Sequence, residues 1–219
     1  MRKVHPSLAW HRQLAGALAQ HFWLKALLTP LFIALFFGAY LYLLKSPTHP
    51  PTVMPLTALD HWISFQPAAI SLYLSLWVYV SLPSALLGTQ RELFDYGAAM
   101  AANCLIGLLI FYVWPSAVPP VLIDWALYPG MDYLKNMDAA GNACPSLHVA
   151  TATFSALWLN CILNRCGAPR GMLCFNWVWC AGIIYSTVAI RQHVVVDVIA
   201  GMGLGMLVAY LSLRPRNCV

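Results

Sequence analysis

The stretch ALLTPLFIALFFGAYLYLL, residues 26–44, runs for nineteen residues without a charged side chain. A helix needs about 20 mostly apolar residues to cross the hydrocarbon core of a bilayer, so this stretch is long enough to span one. Basic residues precede it, as they precede a secretory signal. The apolar run is longer than a signal core and lacks a clear small-x-small cleavage site, so it reads as an uncleaved anchor.

Working outward, the same character recurs along the chain. Of 219 residues, 61% are hydrophobic and 9% charged, with a mean hydropathy of +0.69. Soluble domains carry roughly 25% charged residues. The composition therefore excludes a disordered chain and an ordinary soluble domain. The net charge is +5, but no basic run exceeds two residues, which argues against a nucleic-acid partner. No CxxC pair or Cys/His cluster is present among the seven cysteines, so a zinc-ribbon site is not expected.

Five more apolar stretches read as spans: about 67–87, 97–113, 145–163, 172–190 and 193–213. Between them lie a proline-rich loop with an interfacial segment at Leu56–Phe65, a short polar loop at Gly88–Tyr96, a long aromatic loop at Trp114–Cys144, and a basic turn at Asn164–Gly171. Asp124 and Trp125 in the long loop are assigned to an interfacial lid. In residues 1–25, Trp10, Leu14, Leu18 and Phe22 recur every four positions, the pattern of a helix lying in the membrane interface. The expected architecture is all-α. It comprises an interfacial segment (1–25), a six-transmembrane-helix bundle forming one catalytic domain (26–213), and a cytoplasmic tail (214–219).

Six spans place both termini on one side. With the termini cytoplasmic, nine basic residues fall inside and only Lys45, Lys135 and Arg191 outside, as the positive-inside rule demands. Counting the acidic residues, the inside is near +7 (9 − 2) and the outside near −2 (3 − 5), which sum to +5. The reading is an integral protein of the plasma membrane, or of the inner membrane in a bacterium.

This topology brings two polar clusters to the outer face, where ionisable groups are expensive and mark functional sites. One is Cys144-Pro145-Ser146-Leu147-His148, at the start of the fourth span. The other runs from Ser186 to Asp197 and crosses from the fifth span into the sixth. Pro145 suits a first helical turn, which sets Ser146 and His148 beside unpaired N–H groups and a positive helix end that favour an anion. His193 and Asp197 stand four residues apart on one expected helix face. The carboxylate can hold Nδ1–H and leave Nε2 to attack. Arg191 offers a bidentate cation for phosphate, and His148 a proton for a departing alkoxide. The set suits phosphoryl transfer without metal or cofactor. A rival reading makes His148, His193 and Asp197 three zinc ligands. A transporter or scaffold would instead carry broken helices and mid-membrane charges. Gly201, Gly203 and Gly205 read as close helix packing, and Cys144 as a small packing residue.

The two clusters resemble the motifs of the type-2 phosphatidic acid phosphatase superfamily. Pro145-Ser146-Leu147-His148 is similar to its Pro-Ser-Gly-His. Ser186-Thr187, five residues, His193, three residues, Asp197 is similar to its Ser-Arg…His…Asp. The first family motif, Lys, six residues, Arg-Pro, has no counterpart, and Trp114–Pro120 lies roughly in its place without a cation. Leu147 for glycine, Thr187 for arginine, Arg191-Gln192-His193 and the Asp60–Gln66 segment are closer to the inositol phosphorylceramide synthase-like branch. The resemblance implies a six-helix bundle in which His193 forms a phosphohistidine, Asp197 orients it and His148 is the acid. It places Ser146, Ser186, Thr187 and Arg191 around the phosphate, with Lys135 as a second candidate cation. The implied activity is hydrolysis of a lipid phosphate monoester or diphosphate at the non-cytoplasmic face. Transfer of a phosphoryl or phospho-headgroup to an acceptor hydroxyl is the alternative, and a zinc-dependent hydrolase the second alternative. The expected partners are a lipid phosphate and the bilayer.

Overall fold

The computed structural model describes residues 9–128, 130–131 and 141–214. It is mostly helical, and five of its helical segments are long and apolar enough to cross a membrane: Phe22–Lys45, Pro67–Leu86, Gln90–Val113, Arg170–Ala189 and Val195–Leu213.

In chain order, α1 (Trp10–Ala19) buries none of its residues and ends at Gln20. His21, in the left-handed region at φ 56°, turns the chain into α2 (Phe22–Lys45). Buried Lys25 fixes this corner. Its ammonium donates to Ala17 O and Ala85 O, both at 2.7 Å. Those carbonyls sit in the last turns of α1 and α5, the negative ends of both helices. After α2 come a two-residue strand β1 (Thr52–Val53) and a short helix α3 (Ala58–Trp62). The second expected span is broken into a 3-10 turn (Pro67–Ala69), α4 (Ile70–Leu74) and α5 (Leu76–Leu86). The break is at Ser75, whose hydroxyl donates to Leu72 O and accepts from the Trp179 indole.

The polar stretch Gly88–Tyr96, expected as a loop, is mostly helix. Thr89 accepts the Glu92 N–H and starts α6 (Gln90–Val113) two turns earlier than hydropathy suggests. An N-terminal cap and an acidic first turn favour helix whatever the polarity. Strand β2 (Ser116–Ala117) then pairs in parallel with β1, in the register Thr52↔Ser116 and Val53↔Ala117.

The last three helices are α7 (Leu147–Arg165), α8 (Arg170–Ala189) and α9 (Val195–Leu213). α7 occupies the expected fourth span, yet it is not among the five apolar helices. It is the central element and packs against α5, α6, α8 and α9, with most of its residues buried. A helix wrapped by protein need not be uniformly apolar, which explains its threonines, serine and asparagines. α9 runs parallel to α7 in close contact. A Cβ on Gly201 or Gly205 would strike the backbone of Ser146 or Ala150, whereas one on Gly203 would meet nothing within 4 Å. Two of the three glycines thus serve packing. Leu147 plugs into α6 in the same manner, against Gly107.

Candidate active site

The chain reaches the site through the Ser116–Cys144 contact. The Ser116 hydroxyl accepts the Cys144 N–H at 2.8 Å, and a cis Cys144–Pro145 peptide follows. Pro145 therefore precedes the helix and does not occupy its first position. Ser146 is the N-cap, accepting the Val149 N–H at 3.2 Å, and its own N–H donates to Asp197 O at 3.1 Å. This joins the two motifs at the backbone.

His148 lies in the first turn of α7. Its ring stacks on Tyr73 of α4, with centroids 3.9 Å apart and planes at 13°. Its Nε2 lies 3.2 Å from Tyr73 O. A carbonyl only accepts, so Nε2 carries the hydrogen and Nδ1 is left to exchange protons. Tyr73 escaped sequence reading, because an aromatic in an apolar span resembles any core residue.

His193 is not on a helix. It lies one residue before Val194, the N-cap of α9. Its N–H and that of Gln192 both donate to Thr187 O, at 3.1 and 3.0 Å, which folds the loop back on the end of α8. Asp197 is fully buried. Its Oδ2 accepts the Val194 N–H at 3.0 Å and stands 3.5 Å from His193 Nδ1. That separation is an ion-pair contact, longer than a hydrogen bond. Nδ1 and Asp197 Oδ1 have no hydrogen-bond partner among the described residues.

The remaining sequence candidates fall apart by role. Ser186 and Thr187 are buried, and their hydroxyls donate to Ile183 O and Ile184 O within α8. Their hydrogens are thereby committed to the helix. Arg191 adopts φ 60°, and its guanidinium donates to Asp60 O at 3.0 Å and Ile63 O at 2.8 Å. Lys135 lies outside the described residues. Among the described residues, no three His, Cys, Asp or Glu side chains converge as a metal-ligand set, so His148, His193 and Asp197 are not arranged as the zinc reading requires.

Asp60 is a further participant. It is 2% exposed. Its Oδ2 accepts the Thr57 N–H and hydroxyl at the start of α3, and its Oδ1 accepts the Val195 N–H at 2.9 Å. Together with Gln66 N–H donating to Ala189 O and the two Arg191 bonds, it straps the 57–66 segment to the His193 loop. The sequence signal was an aspartate in an otherwise apolar interfacial segment. The nearby Cys144 thiol is pushed up to about 11 by burial, with the Asp197 carboxylate adding to the shift. It stays protonated at neutral pH and is no rival nucleophile.

His148 and His193 both line one cavity of about 550 Å³, walled mainly by α2, α5 and α6. Apolar membrane-length helices thus surround two histidines and a buried carboxylate. The profile of the PAP2 superfamily matches residues 92–217, more than half the chain, and the protein belongs to that superfamily. Its activity is accordingly of the phosphatase or phosphotransferase type. No curated protein and no solved structure matches the chain significantly.

Proposed function

We propose that the protein is a metal-independent lipid phosphatase working through a phosphohistidine on His193. The observation that carries this reading is the placement of His193. It is held by Thr187 O, with Nδ1 facing buried Asp197, in the lining of an apolar cavity shared with His148. Asp197 can only accept, so it favours the Nδ1–H tautomer and leaves the Nε2 lone pair for phosphorus. Binding of an anion shortens the 3.5 Å contact as the imidazole gains positive character; loose geometry before substrate binds is usual. His148 keeps its Nε2–H on Tyr73 O and takes up a proton at Nδ1 as the phosphate anion enters. His193 Nε2 attacks, the P–O bond to the leaving alkoxide breaks, and the His148 Nδ1 proton passes to the alkoxide. His148 then takes a proton from water, whose oxygen attacks phosphorus. The P–N bond breaks, and phosphate and neutral His193 are regenerated. Ser146 and the amides at the α7 N-terminus supply a positive environment for the phosphate. Arg191, oriented by its bonds to Asp60 O and Ile63 O, lends its charge to the phosphate, and Ser186 and Thr187 hold the loop.

In this reading α7 crosses the bilayer as the fourth of six spans and α1 lies at the cytoplasmic interface. Both termini are cytoplasmic, and the histidines open to the outer face. The Leu147 and Thr187 variants favour a second reading, transfer to an acceptor hydroxyl as in the inositol phosphorylceramide synthase-like branch. Both use the same histidines and differ in what attacks the phosphoenzyme.

The test is incubation of purified protein with phosphatidate, prenyl diphosphate and other lipid phosphates, with and without polyol or ceramide-type acceptors. Free phosphate and new phospholipid are scored together, and EDTA is included throughout. Acid-labile, base-stable phosphate on the wild type, absent from His193→Ala, is the expected result. Full activity of His193→Ala would overturn the assignment.

A further inference from the structure

The cavity at the two histidines continues far beyond them. It is lined along α2 from Leu28 to Tyr40 and, toward the opposite end of the bundle, by Leu93, Phe94 and Gly97 of α6. Twelve residues of helix rise about 18 Å, whereas one leaflet is about 15 Å of hydrocarbon. The walls between the ends are almost wholly apolar side chains.

α2 roofs this space. At its inner end Lys25 ties it to α1 and α5. At its outer end Tyr40 O accepts from the Asn142 amide at 3.1 Å, just ahead of the Pro145–His148 motif. Between these two fastenings no residue of α2 is fully buried. Phe37 leans on Trp77 of α5, with centroids 5.0 Å apart. Phe32 and Phe36 also pack on the bundle core, so α2 meets the bundle through aromatic side chains and its two fastenings, over a slot that leads from the histidines inward. The slot closes where polar groups return. Beyond Leu28 lies the Lys25 ammonium, and beyond Leu93 the Glu92–Arg165 ion pair. The roof also lies outside residues 92–217, so it belongs to the part of the chain that the superfamily match does not cover.

We infer that the slot under α2 holds a hydrocarbon chain of the substrate and measures its length, with Leu28, Leu93 and Phe94 as its floor. This rests on the lipid-phosphate reading above. A chain that reaches the floor buries its full length, and each methylene buried adds binding. A longer one must bend out or press against the Lys25 charge, which costs. Selection for chain length follows from these two opposing terms. The chain enters sideways past α2, because its natural solvent is the bilayer.

Gly97 provides the test. A Cβ there meets nothing within 4 Å although the residue lines the slot, so the side chain of Gly97→Phe leaves the backbone into open space and narrows the slot. Alkyl and prenyl monophosphates of increasing chain length are assayed for phosphate release by wild type and Gly97→Phe in nanodiscs. For the wild type, kcat/KM rises with length to an optimum and then falls. For the variant, the optimum moves to shorter chains and the long-to-short ratio drops by at least about tenfold. An unchanged length profile in a variant with wild-type melting temperature overturns the inference. Independently of activity, a long-chain alcohol with a terminal photoreactive diazirine is cross-linked to wild-type protein and mapped by mass spectrometry. Labels on Leu28 or buried Leu93 support the slot, even if no phosphate is released. Labels confined to the lipid-facing Leu105 and Leu109 overturn it, even if phosphate is.

Discussion

The Asp60 carboxylate accepts the Val195 N–H at 2.9 Å, two residues beyond His193. One of the four unpaired donors at the N-terminus of α9 is thus satisfied by a segment some 130 residues earlier. Asp197 satisfies the neighbouring Val194 N–H from within the helix. Two carboxylates, one local and one distant, fix where the helix begins and hence where the histidine before it points.

The first prediction concerns Asp60. Asp60→Ala leaves the Val195 and Thr57 N–H groups unpaired and weakens the strap, which keeps only its Gln66 and Arg191 bonds to main-chain carbonyls. Loss of such caps costs about 1–2 kcal/mol, read as a lowered melting temperature in detergent. A displacement of His193 by about 1 Å costs on the order of 100-fold in turnover, with KM much less affected. Asp60→Asn keeps one acceptor oxygen and restores part of both. Normal turnover of Asp60→Ala would show that the strap does not position the histidine.

Asp197 separates orientation from stability. Asp197→Asn retains an oxygen for the Val194 N–H but offers the His193 ring either a donor or an acceptor, so the Nδ1–H tautomer is no longer imposed. Turnover is expected to fall on the order of 10⁴-fold, as when the orienting carboxylate of a His-based triad is neutralised. The melting temperature should fall less than for Asp197→Ala. Single-turnover phosphorylation of His193 is the direct measurement, because it isolates the attack step from hydrolysis of the phosphoenzyme.

How far this was legible in the sequence depends on the kind of signal. Hydropathy located the apolar spans because lipid imposes the same demand on each residue of an exposed helix, and residues 26–44 fall within α2. It misplaced the start of α6, where the Thr89 cap outweighs the polarity of Gln90–Asp95. It also gave no sign that α7 differs from the rest, since its centrality arises from packing by four neighbours. In the site, the spacing of His193 and Asp197 suggested one helix face. The structure instead sets His193 in a loop and reaches 3.5 Å by folding that loop onto Thr187 O. Tyr73 under His148 and Asp60 behind Val195 are contacts between elements far apart in the chain. Local periodicity carries no information about them.

Gly201 and Gly205 test the parallel α7–α9 contact. Each has the Ser146 or Ala150 carbonyl where a Cβ would go, so Gly201→Val or Gly205→Val forces the helices apart. A loss above about 2 kcal/mol is expected from such overpacking against backbone. Gly201→Val should also lower activity more than Gly205→Val, because Ser146 caps the helix that carries His148. Gly203→Ala, which meets nothing, should be neutral or slightly stabilising. Thermal unfolding of the three variants in one detergent decides the matter. Equal destabilisation by all three would contradict the packing described here.

The Cys144 thiol gives a pH signature. Burial and the Asp197 carboxylate raise it to about 11, from an ordinary value near 9, so the folded protein keeps its proton where the unfolded chain loses it. Between those two values the unfolded state binds fewer protons than the native one, and stability falls as pH rises. Below pH 9 both states are protonated and the group contributes no slope. Maleimide labelling resolved by mass spectrometry checks the native side of this cycle. At pH 8, Cys144 should label promptly in denatured protein and not in native protein, where it should begin to react only as pH climbs toward 11. If Cys144 labels as fast in native as in denatured protein at pH 8, the thiol is neither buried nor neutral, and the assignment of nucleophilic attack to His193 would need Cys144→Ser beside His193→Ala in every assay.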